Sequence, residues 1–414
     1  MAGAVHVENE HSPRLPRGFE RGRAARRRRD TAAALALVSP SVLLIGVFGI
    51  FPLFFTAYVS LFNWRLAGGR FLALGNYAEL LGPGVLPLVG VVLSVGAIVA
   101  GALLVRHGAD PSARSRRWTG LAVLAAGAAS FVLVLPRLAA QGDSEVFDSF
   151  RVTVWYALLT VPVQLVAGLA LALALTRKVR GRQLFRVVYL LPYVAPTVAT
   201  AAIFQLLFSL RPDSSANQVL ALLGIHPLQW LQEPGGIVPL LFGGGAGAGA
   251  VAPAGGVAPG VVASYWAQWA SGPSLALVSI IFYSWWVFVG YYALIYINGL
   301  MAIPRQLYEA AEVDGAGPAR RFLSITLPLL SPTTYFLTLL GVIGTFKAFT
   351  QLYVLRSPAA AAGTDTISVE VFFTFFRKAR LGYAAAISLV LFLIVLGLTL
   401  LQQRTLERGV TYGE

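Results

Sequence analysis

Residues 308–332 read YEAAEVDGAGPARRFLSITLPLLSP and lie between two strongly apolar segments. The stretch begins with an acidic run, passes through two glycines and a basic pair, and ends in an apolar run closed by prolines. Glycine permits a tight turn because it lacks a Cβ atom. A loop that only reversed the chain could be a few residues long. We therefore predict a helix, a turn and a second helix that present a docking surface for a partner.

The composition indicates a protein that crosses a membrane many times. Of the 414 residues, 57% are hydrophobic and 12% are charged, whereas soluble domains carry roughly 25% charged residues. Cysteine is absent and the four histidines are scattered, so we expect no disulfide, no metal site, no cofactor and no catalytic group. The net charge of +14 follows the loops between apolar segments, which argues against a nucleic-acid partner.

Eight segments are long and apolar enough to cross a bilayer, since a spanning helix needs about 20 mostly apolar residues. They are residues 32–61, 87–105, 119–138, 154–176, 187–210, 275–302, 333–355 and 384–403. With the N-terminus inside, the cytoplasmic pieces hold 22 of the 32 basic residues. Because basic residues favour the cytoplasmic side, we predict an all-α polytopic membrane protein, N-in and C-in.

One more segment, residues 235–263, is apolar but rich in glycine and interrupted by prolines. Both residue types weaken a helix heavily. We predict a flexible external insertion there. If this segment did cross the membrane, the loop at 303–332 would lie outside the cell.

The polar loop carries a family signature. An EAA triplet is followed after three residues by glycine and, after nine more, by I-x-LP. This spacing resembles the EAA loop of integral-membrane subunits of binding-protein-dependent ABC importers. The resemblance implies a coupling helix that docks on an ATPase subunit through Glu309, Ala310, Ala311, Asp314, Gly315, Ile325, Leu327 and Pro328.

Other stretches resemble the carbohydrate permeases of that family, of the maltose and glycerol-3-phosphate type. These are ALGNYAELL at 73–81 (Asn76 and Tyr77), VPVQLVAGLALALAL at 161–175, FKAFTQLYVL at 346–355 and GYAAAIS at 382–388. The resemblance implies about eight helices around a type I importer core in a bacterial cell membrane. It also implies a second permease subunit, two ATP-binding subunits, an extracellular solute-binding protein and a sugar-like substrate.

The expected organisation has five parts. They are a basic cytoplasmic tail (1–31), a first transmembrane helix with an external loop (32–81), an inserted pair of transmembrane helices (82–140), a permease core (141–408) and a cytoplasmic tail (409–414). The core contains the Gly-rich insertion 235–263 and the coupling loop 303–332. The helix pair and the insertion depart from the family pattern.

No phosphate-binding GxxxxGK[ST] loop is present, so we expect the energy for transport to come from a separate ATPase chain or from an ion gradient. An ion-coupled transporter is a weaker alternative, because the eight predicted spans contain no Asp or Glu to take up protons, although Lys347 lies inside one of them. An ABC permease for a non-sugar solute also stays open. A membrane enzyme is disfavoured, since no nucleophile or metal motif is found.

Side chains that line a sugar pathway should offer hydrogen bonds to hydroxyls and aromatic stacking. Each candidate has a second interpretation, because polar side chains also join membrane helices to one another. We further expect Pro162, Pro192 and Pro196 to kink their helices. The candidate pathway residues are Gln164, Gln205, Tyr292, Asn298, Lys347, Thr350, Gln351 and Tyr353.

Overall fold

The structure, a computed structural model, describes residues 17–65, 68–107, 114–176, 181–242 and 260–406. The beginning of the predicted basic tail, residues 243–259 of the Gly-rich insertion and the predicted tail 409–414 lie outside the described residues. The chain divides after Tyr58 into two compact units.

The first unit is helical throughout its described part. Helix α1 (Arg17–Ile45) continues through a π-helical turn (Gly46–Ile50) into α2 (Phe51–Val59). The section Thr31–Val59 is long and apolar enough to span a membrane, as predicted for residues 32–61. Its large apolar side chains, such as Leu37 and Phe48, are exposed. In a bilayer these side chains can face lipid, because a spanning helix satisfies its own backbone.

The second unit opens with a small antiparallel hairpin, β1 (Phe62–Arg65) and β2 (Gly68–Phe71), followed by α3 (Gly75–Leu81). The buried amide of Asn76 donates to the carbonyls of Ser60 at 2.7 Å and Phe62 at 2.9 Å. Tyr77 shares a 2.6 Å hydrogen bond with the Ser60 hydroxyl. The Asn-Tyr pair therefore ties α3 to the hairpin, in a region that the sequence predicts to be a loop.

Two long helices, α4 (Val85–His107) and α5 (Arg114–Gln141), follow the hairpin and pack against each other. A Cβ atom at Gly101 would lie 2.5 Å from the backbone nitrogen of Leu124. Ser94 donates to Ser130 across the pair at 2.7 Å. Small residues let membrane helices approach closely, and this pair uses them along its length. Both helices qualify as spans, at the positions predicted for the inserted pair.

The remaining described helices form the rest of the unit around α6 and α12. Up to the Gly-rich insertion they are α6 (Ser144–Thr176), α7 (Arg182–Val194), α8 (Thr197–Leu207), α9 (Ser215–Leu222) and α10 (Ile237–Phe242). After it come α11 (Val261–Ala270), α12 (Leu275–Ala302), α13 (Arg305–Val313), α14 (Pro318–Arg321), a π-helical turn (Phe322–Thr326), α15 (Leu327–Leu329) and α16 (Ser331–Phe346). The chain ends with α17 (Thr350–Leu355), a 3-10 turn (Pro358–Ala360), α18 (Ala361–Thr364), α19 (Ile367–Phe376) and α20 (Leu381–Leu406).

Two apolar clusters stabilise this arrangement. The first surrounds the N-terminal halves of α6 and α12 and includes Tyr156, Ile280 and Leu352. The second includes Tyr296 and Leu330 and extends towards the coupling loop. Fully burying one such side chain contributes about 1.5–3 kcal/mol in water, whereas in lipid close packing contributes more of the stabilisation.

Two predicted spans are not single straight helices. The segment 187–210 breaks at Ala195, and α7 and α8 meet there at 98°. The kink expected at Pro196 is present, because proline disfavours a helical residue before it. The prediction of one helix over 333–355 is wrong: α16 ends at Phe346 and α17 begins at Thr350. Lys347 is the C-cap of α16 and lies in the break between the two helices.

The count of about eight spans agrees with the structure. Six described helices are long and apolar enough, and two bent pairs raise the total to eight if each pair is one span. The bent pairs are α7 with α8, and Pro318–Leu329 with α16. The orientation N-in and C-in stays a prediction. The Gly-rich insertion differs from the expectation at its two ends, where α10 and α11 are helical.

Candidate substrate cavity and coupling loop

A cavity of about 120 Å³ lies among α6, α7, α12, α16 and α17. No charged side chain lines it among the described residues. Ligand pockets commonly enclose about 300–1,000 Å³, so this cavity alone holds a few water molecules or part of a solute. Its lining residues are Tyr156, Thr160, Gln164, Tyr193, Phe288, Tyr291, Tyr292, Leu340, Gly341, Gly344, Thr345 and Gln351.

Hydroxyl and amide groups converge on one wall of the cavity. Tyr156 shares a 2.8 Å hydrogen bond with Ser284 and accepts one from the Gln351 amide at 3.1 Å. The Gln164 amide donates to the Ser284 carbonyl at 3.2 Å. The buried Thr160 hydroxyl has no hydrogen-bond partner within the described parts of the chain. Leaving such a group unsatisfied costs about 1–3 kcal/mol, so Thr160 is a ready partner for water or a solute hydroxyl.

Aromatic rings form another part of the lining. Tyr193 of α7 and Tyr291 of α12 are stacked with ring centroids 4.5 Å apart, and Phe288 meets Tyr193 edge-on at 5.8 Å. The helices can approach this closely because Gly290 lies between them: a Cβ atom there would be 1.8 Å from the Tyr189 carbonyl oxygen. Aromatic faces beside hydroxyl groups suit a solute that has both apolar and polar surfaces.

The structure brings three of the eight predicted pathway residues together at the cavity: Gln164, Tyr292 and Gln351. The other five lie outside its lining. The Gln205 amide donates to the carbonyl of Val354 and joins α8 to α17. The remaining four have exposed side chains, namely Asn298, Lys347, Thr350 and Tyr353. A contact between any of the eight and a solute stays a prediction.

Several lining residues were not predicted from the sequence, although some of them follow a recognisable spacing. Tyr156, Thr160 and Gln164 recur every four residues along α6, which places polar groups on one face of an apolar helix. That pattern could have extended the prediction from Gln164 to its neighbours. Tyr291 left no such signal, because α12 contains several tyrosines and their faces depend on its rotation against other helices.

The coupling loop presents an exposed apolar surface. Helix α13 follows Pro304 and contains no buried residue. Val313 is 89% exposed, and Leu307, Leu323 and Leu327 are exposed as well. Among the predicted coupling residues, Glu309 and Ala310 also face outward. Apolar side chains grouped beside charged ones on a protein surface commonly mark a contact with a partner.

Gly315 shapes the turn that ends α13. Its φ angle of +73° lies in the left-handed region, which side chains with a Cβ atom rarely adopt. The Gly315 N–H donates to the Glu312 carbonyl at 3.1 Å, and the Ala316 N–H donates to the Ala311 carbonyl at 2.8 Å. These two bonds define a Schellman motif, with Asp314 as the C-cap. The EAA triplet and its glycine are thus parts of one helix ending.

Two contacts anchor α13 to the membrane-spanning helices. The Tyr308 hydroxyl shares a 2.9 Å hydrogen bond with Thr326 in the π-helical turn. Tyr308 and the predicted coupling residue Ile325 pack against the cluster that contains Leu330 and Tyr292. Because Tyr292 also lines the cavity, contiguous packing connects the exposed loop with the cavity wall.

Hydrogen bonds join α12 directly to α16, the helix that follows the coupling loop. Tyr296 donates to Thr334 at 3.2 Å, and Tyr292 lies 3.5 Å from the Leu337 carbonyl, at the limit for a hydrogen bond. A Cβ atom at Gly299 would lie 2.5 Å from the Thr333 hydroxyl oxygen. The two helices are therefore in close contact from the loop up to the cavity.

Charged residues connect α19 and α20 with the start of α6. Lys378 pairs with Glu145 and, at 2.8 Å, with the buried Glu370. Partial burial lowers the pKa of Lys378, but the hydrogen bonds to both carboxylates raise this pKa above its ordinary value. Arg380 pairs with Glu79 at 2.5 Å, and this hydrogen bond raises the pKa of the guanidinium. These pairs fasten the last two helices to α6 and α3.

Comparison with protein families matches residues 164–411 to the "Binding-protein-dependent transport system inner membrane component" family. The matched range contains the coupling loop and most of the cavity lining. The chain is also similar to the sn-glycerol-3-phosphate transport system permease protein of Agrobacterium fabrum, at 32% identity over 71% of this chain and 85% of that protein. The trehalose/maltose transport system permease protein of Thermococcus litoralis is 28% identical over 62% of this chain and 73% of its own length.

Among solved structures, the fold resembles a chain of a bacterial alginate ABC transporter in complex with an alginate pentasaccharide-bound periplasmic protein. The TM-score is 0.52 at 19% identity, and the match covers 72% of this chain and 98% of that one. At this identity the likeness supports the helical importer fold and says nothing about the solute.

Proposed function

This chain belongs to the binding-protein-dependent transport system inner membrane component family, and we propose that it conducts a sugar or a related solute. Family membership makes it a multi-pass permease subunit of an ABC importer in the plasma membrane, and ATP hydrolysis takes place on a separate subunit.

The cavity between α6, α7 and α12 carries the proposal about the solute. Its described lining is uncharged and combines hydroxyls and amides, including the unsatisfied Thr160, with the stacked Tyr193 and Tyr291. Hydroxyls and amides suit sugar hydroxyl groups, and aromatic faces suit the apolar C–H face of a sugar ring. The names of similar proteins are in keeping with this class, since they include transporters of trehalose/maltose, lactose and arabinooligosaccharides.

The small size of the cavity supports a second permease subunit of the same family. A pathway enclosed between two such subunits would use the wall with Tyr156 and Gln351 as one of its halves. An extracellular solute-binding protein would deliver the solute, and two ATP-binding subunits would each grip one coupling helix. The exposed apolar surface of α13 supports that contact.

Rigid packing between the loop and the cavity supports the coupling mechanism. Closure of the ATP-binding subunits would push on α13 at Glu309 and Gly315. Tyr308 and Ile325 would pass this motion to the helices at Tyr292. The loop and the cavity wall would then move together, so that the pathway opens to alternate sides.

Uptake into proteoliposomes with the complete importer tests the solute proposal. The probes are radiolabelled maltose, lactose and glycerol 3-phosphate, each with its cognate binding protein. We expect saccharide uptake, and Thr160→Val and Gln351→Leu should lower its maximal rate about tenfold, equivalent to the loss of one or two hydrogen bonds. Apparent affinity should change little, because the binding protein captures the solute first.

Gln218→Leu is the matched control, since its amide is exposed and donates to the Asp213 carbonyl, outside the cavity lining. It should leave the maximal rate within about twofold of the parent, a difference of less than ~0.5 kcal/mol. Transport of glycerol 3-phosphate without transport of either saccharide would reject the sugar assignment. Equal effects of all three variants would show that the cavity does not select the solute.

A further inference from the structure

Proline 136 leaves one backbone carbonyl of α5 without its helical partner. Pro136 lies inside the helix and has no N–H, so the carbonyl of Val132, four residues earlier, receives no bond from it. Val132 is nine residues from the end of α5 at Gln141, which corresponds to roughly 14 Å of helix. Val132 lies in the section Ser115–Gln141, which is long and apolar enough to span a membrane, and in lipid an unsatisfied carbonyl is unfavourable.

An indole from a distant part of the chain satisfies this carbonyl. Trp266 of α11 donates from Nε1 to the Val132 carbonyl oxygen at 2.9 Å. Helix α11 reads VVASYWAQWA and contains no charged residue, so it can lie against a membrane helix without exposing charge to lipid. Tyr and Trp are also the residues that favour the membrane interface.

The same short helix contacts the start of α6. Arg151 donates to the Gln268 side chain at 2.5 Å, and the rings of Trp155 and Trp269 lie 6.2 Å apart. Helix α11 therefore touches the inserted pair on one side and α6 on the other. Tyr156, which follows Trp155 in sequence, lines the cavity.

The base of the external insertion is closed by backbone pairing. Gly236 and Ser274 form an antiparallel bridge, and the Ile237 N–H donates to the Pro273 carbonyl at 2.8 Å. The chain therefore leaves and re-enters the core at one place. This pairing fixes the base of the insertion, whereas the position of α11 depends on contacts farther out.

We propose that the inserted pair α4–α5 is a docking surface for α11 of the same chain. The acceptor that anchors α11 is the Val132 carbonyl, which Pro136 leaves without a helical hydrogen bond. The inserted helix pair and the Gly-rich insertion, which both depart from the family pattern, then belong to one structural unit. The pair holds α11 beside α6, the helix that carries Tyr156, Thr160 and Gln164 to the cavity.

A cysteine reporter can measure docking, because the chain has no cysteine of its own. Ala267→Cys is placed at a half-buried position of α11, and Ala263→Cys at an exposed one serves as the reactivity control. The labelling rate with N-ethylmaleimide is measured on the full chain in detergent. In the Pro136 parent, Trp266→Phe should speed labelling at position 267 about five- to thirtyfold, as expected when a contact of this kind is lost.

In a Pro136→Ala parent, the restored backbone N–H bonds the Val132 carbonyl, so Trp266→Phe should speed labelling by less than about threefold. Pro136→Leu restores the same N–H and repeats the test if the alanine variant misfolds. Trp269→Phe is the matched control: it removes an indole from the same helix, and no hydrogen bond joins that indole to α5. Its effect should be equal in both parents.

Two results would overturn the proposal. Equal acceleration by Trp266→Phe in the proline and alanine parents would mean that Trp266 acts by packing alone and that the carbonyl is not the anchor. No acceleration in the proline parent would mean that Trp266 does not hold α11. Labelling at position 263 should stay constant, which confirms that thiol reactivity itself is unchanged.

Discussion

The turn after α13 should depend on the backbone conformation of Gly315 and not on the space around it. No atom of the described chain lies within 4 Å of the position that a Cβ would take, and φ is +73°. A side chain with a Cβ atom costs about 1–2 kcal/mol in this left-handed region. Gly315→Ala should therefore lower the population of the turn, relative to its alternatives, about five- to thirtyfold.

Three substitutions at position 315 separate the effect of backbone conformation from the effect of side-chain size. Gly315→Asn should keep near-parental uptake, because asparagine tolerates the left-handed region. Gly315→Ala should reduce uptake, up to the factor worked out above. Gly315→Leu should abolish uptake, since it adds bulk to the proposed docking surface as well as strain. The assay is ATP-dependent uptake with the complete importer, and the amount of each variant in the membrane is measured in parallel and should not change.

Normal uptake by Gly315→Leu would refute a coupling role for this loop. Equal loss in the asparagine and leucine variants would refute the conformational reasoning, because it would show that any side chain at this surface is excluded. Co-purification of the ATP-binding subunit distinguishes the cases: it should be retained by Gly315→Asn and lost with Gly315→Leu.

Three further outcomes are expected. Tyr308→Phe removes the hydrogen bond to Thr326 and should lower loop stability by about 1 kcal/mol, seen as faster amide exchange in α13. Lys378→Met leaves the buried Glu370 without its cation and should cost about 1.5–3 kcal/mol in thermal unfolding, with partial recovery in a Lys378→Met/Glu370→Gln double variant. The pKa of Lys378 is raised in the fold, so the stabilisation from this ion pair is fully present below the ordinary lysine pKa of about 10.4. It is lost only as the pH rises through the pKa of Lys378 in the folded protein. The destabilisation caused by Lys378→Met should therefore not change with pH around neutrality. The purified chain alone should hydrolyse no ATP, and measurable turnover without added subunits would contradict a separate ATPase.

Local chemistry in the sequence determined the membrane class, the approximate spans and the ending of the coupling helix. Hydropathy is read within some 20 residues, and the turn at Gly315 depends on a few neighbouring backbone groups. The break before Pro196 was predictable for the same reason, since a proline acts on the residue next to it. These features depend on residues that are close together in sequence, so they do not require the tertiary structure.

Only the tertiary structure decided which polar side chains share a cavity. Gln351 meets Tyr156 across 195 positions of sequence, and Trp266 reaches Val132 across 134. Both contacts depend on how each helix is rotated and how closely its neighbours approach, which close packing of the whole molecule sets. Lys347 illustrates the limit: hydropathy placed it inside a span, but α16 ends one residue earlier and the side chain is exposed.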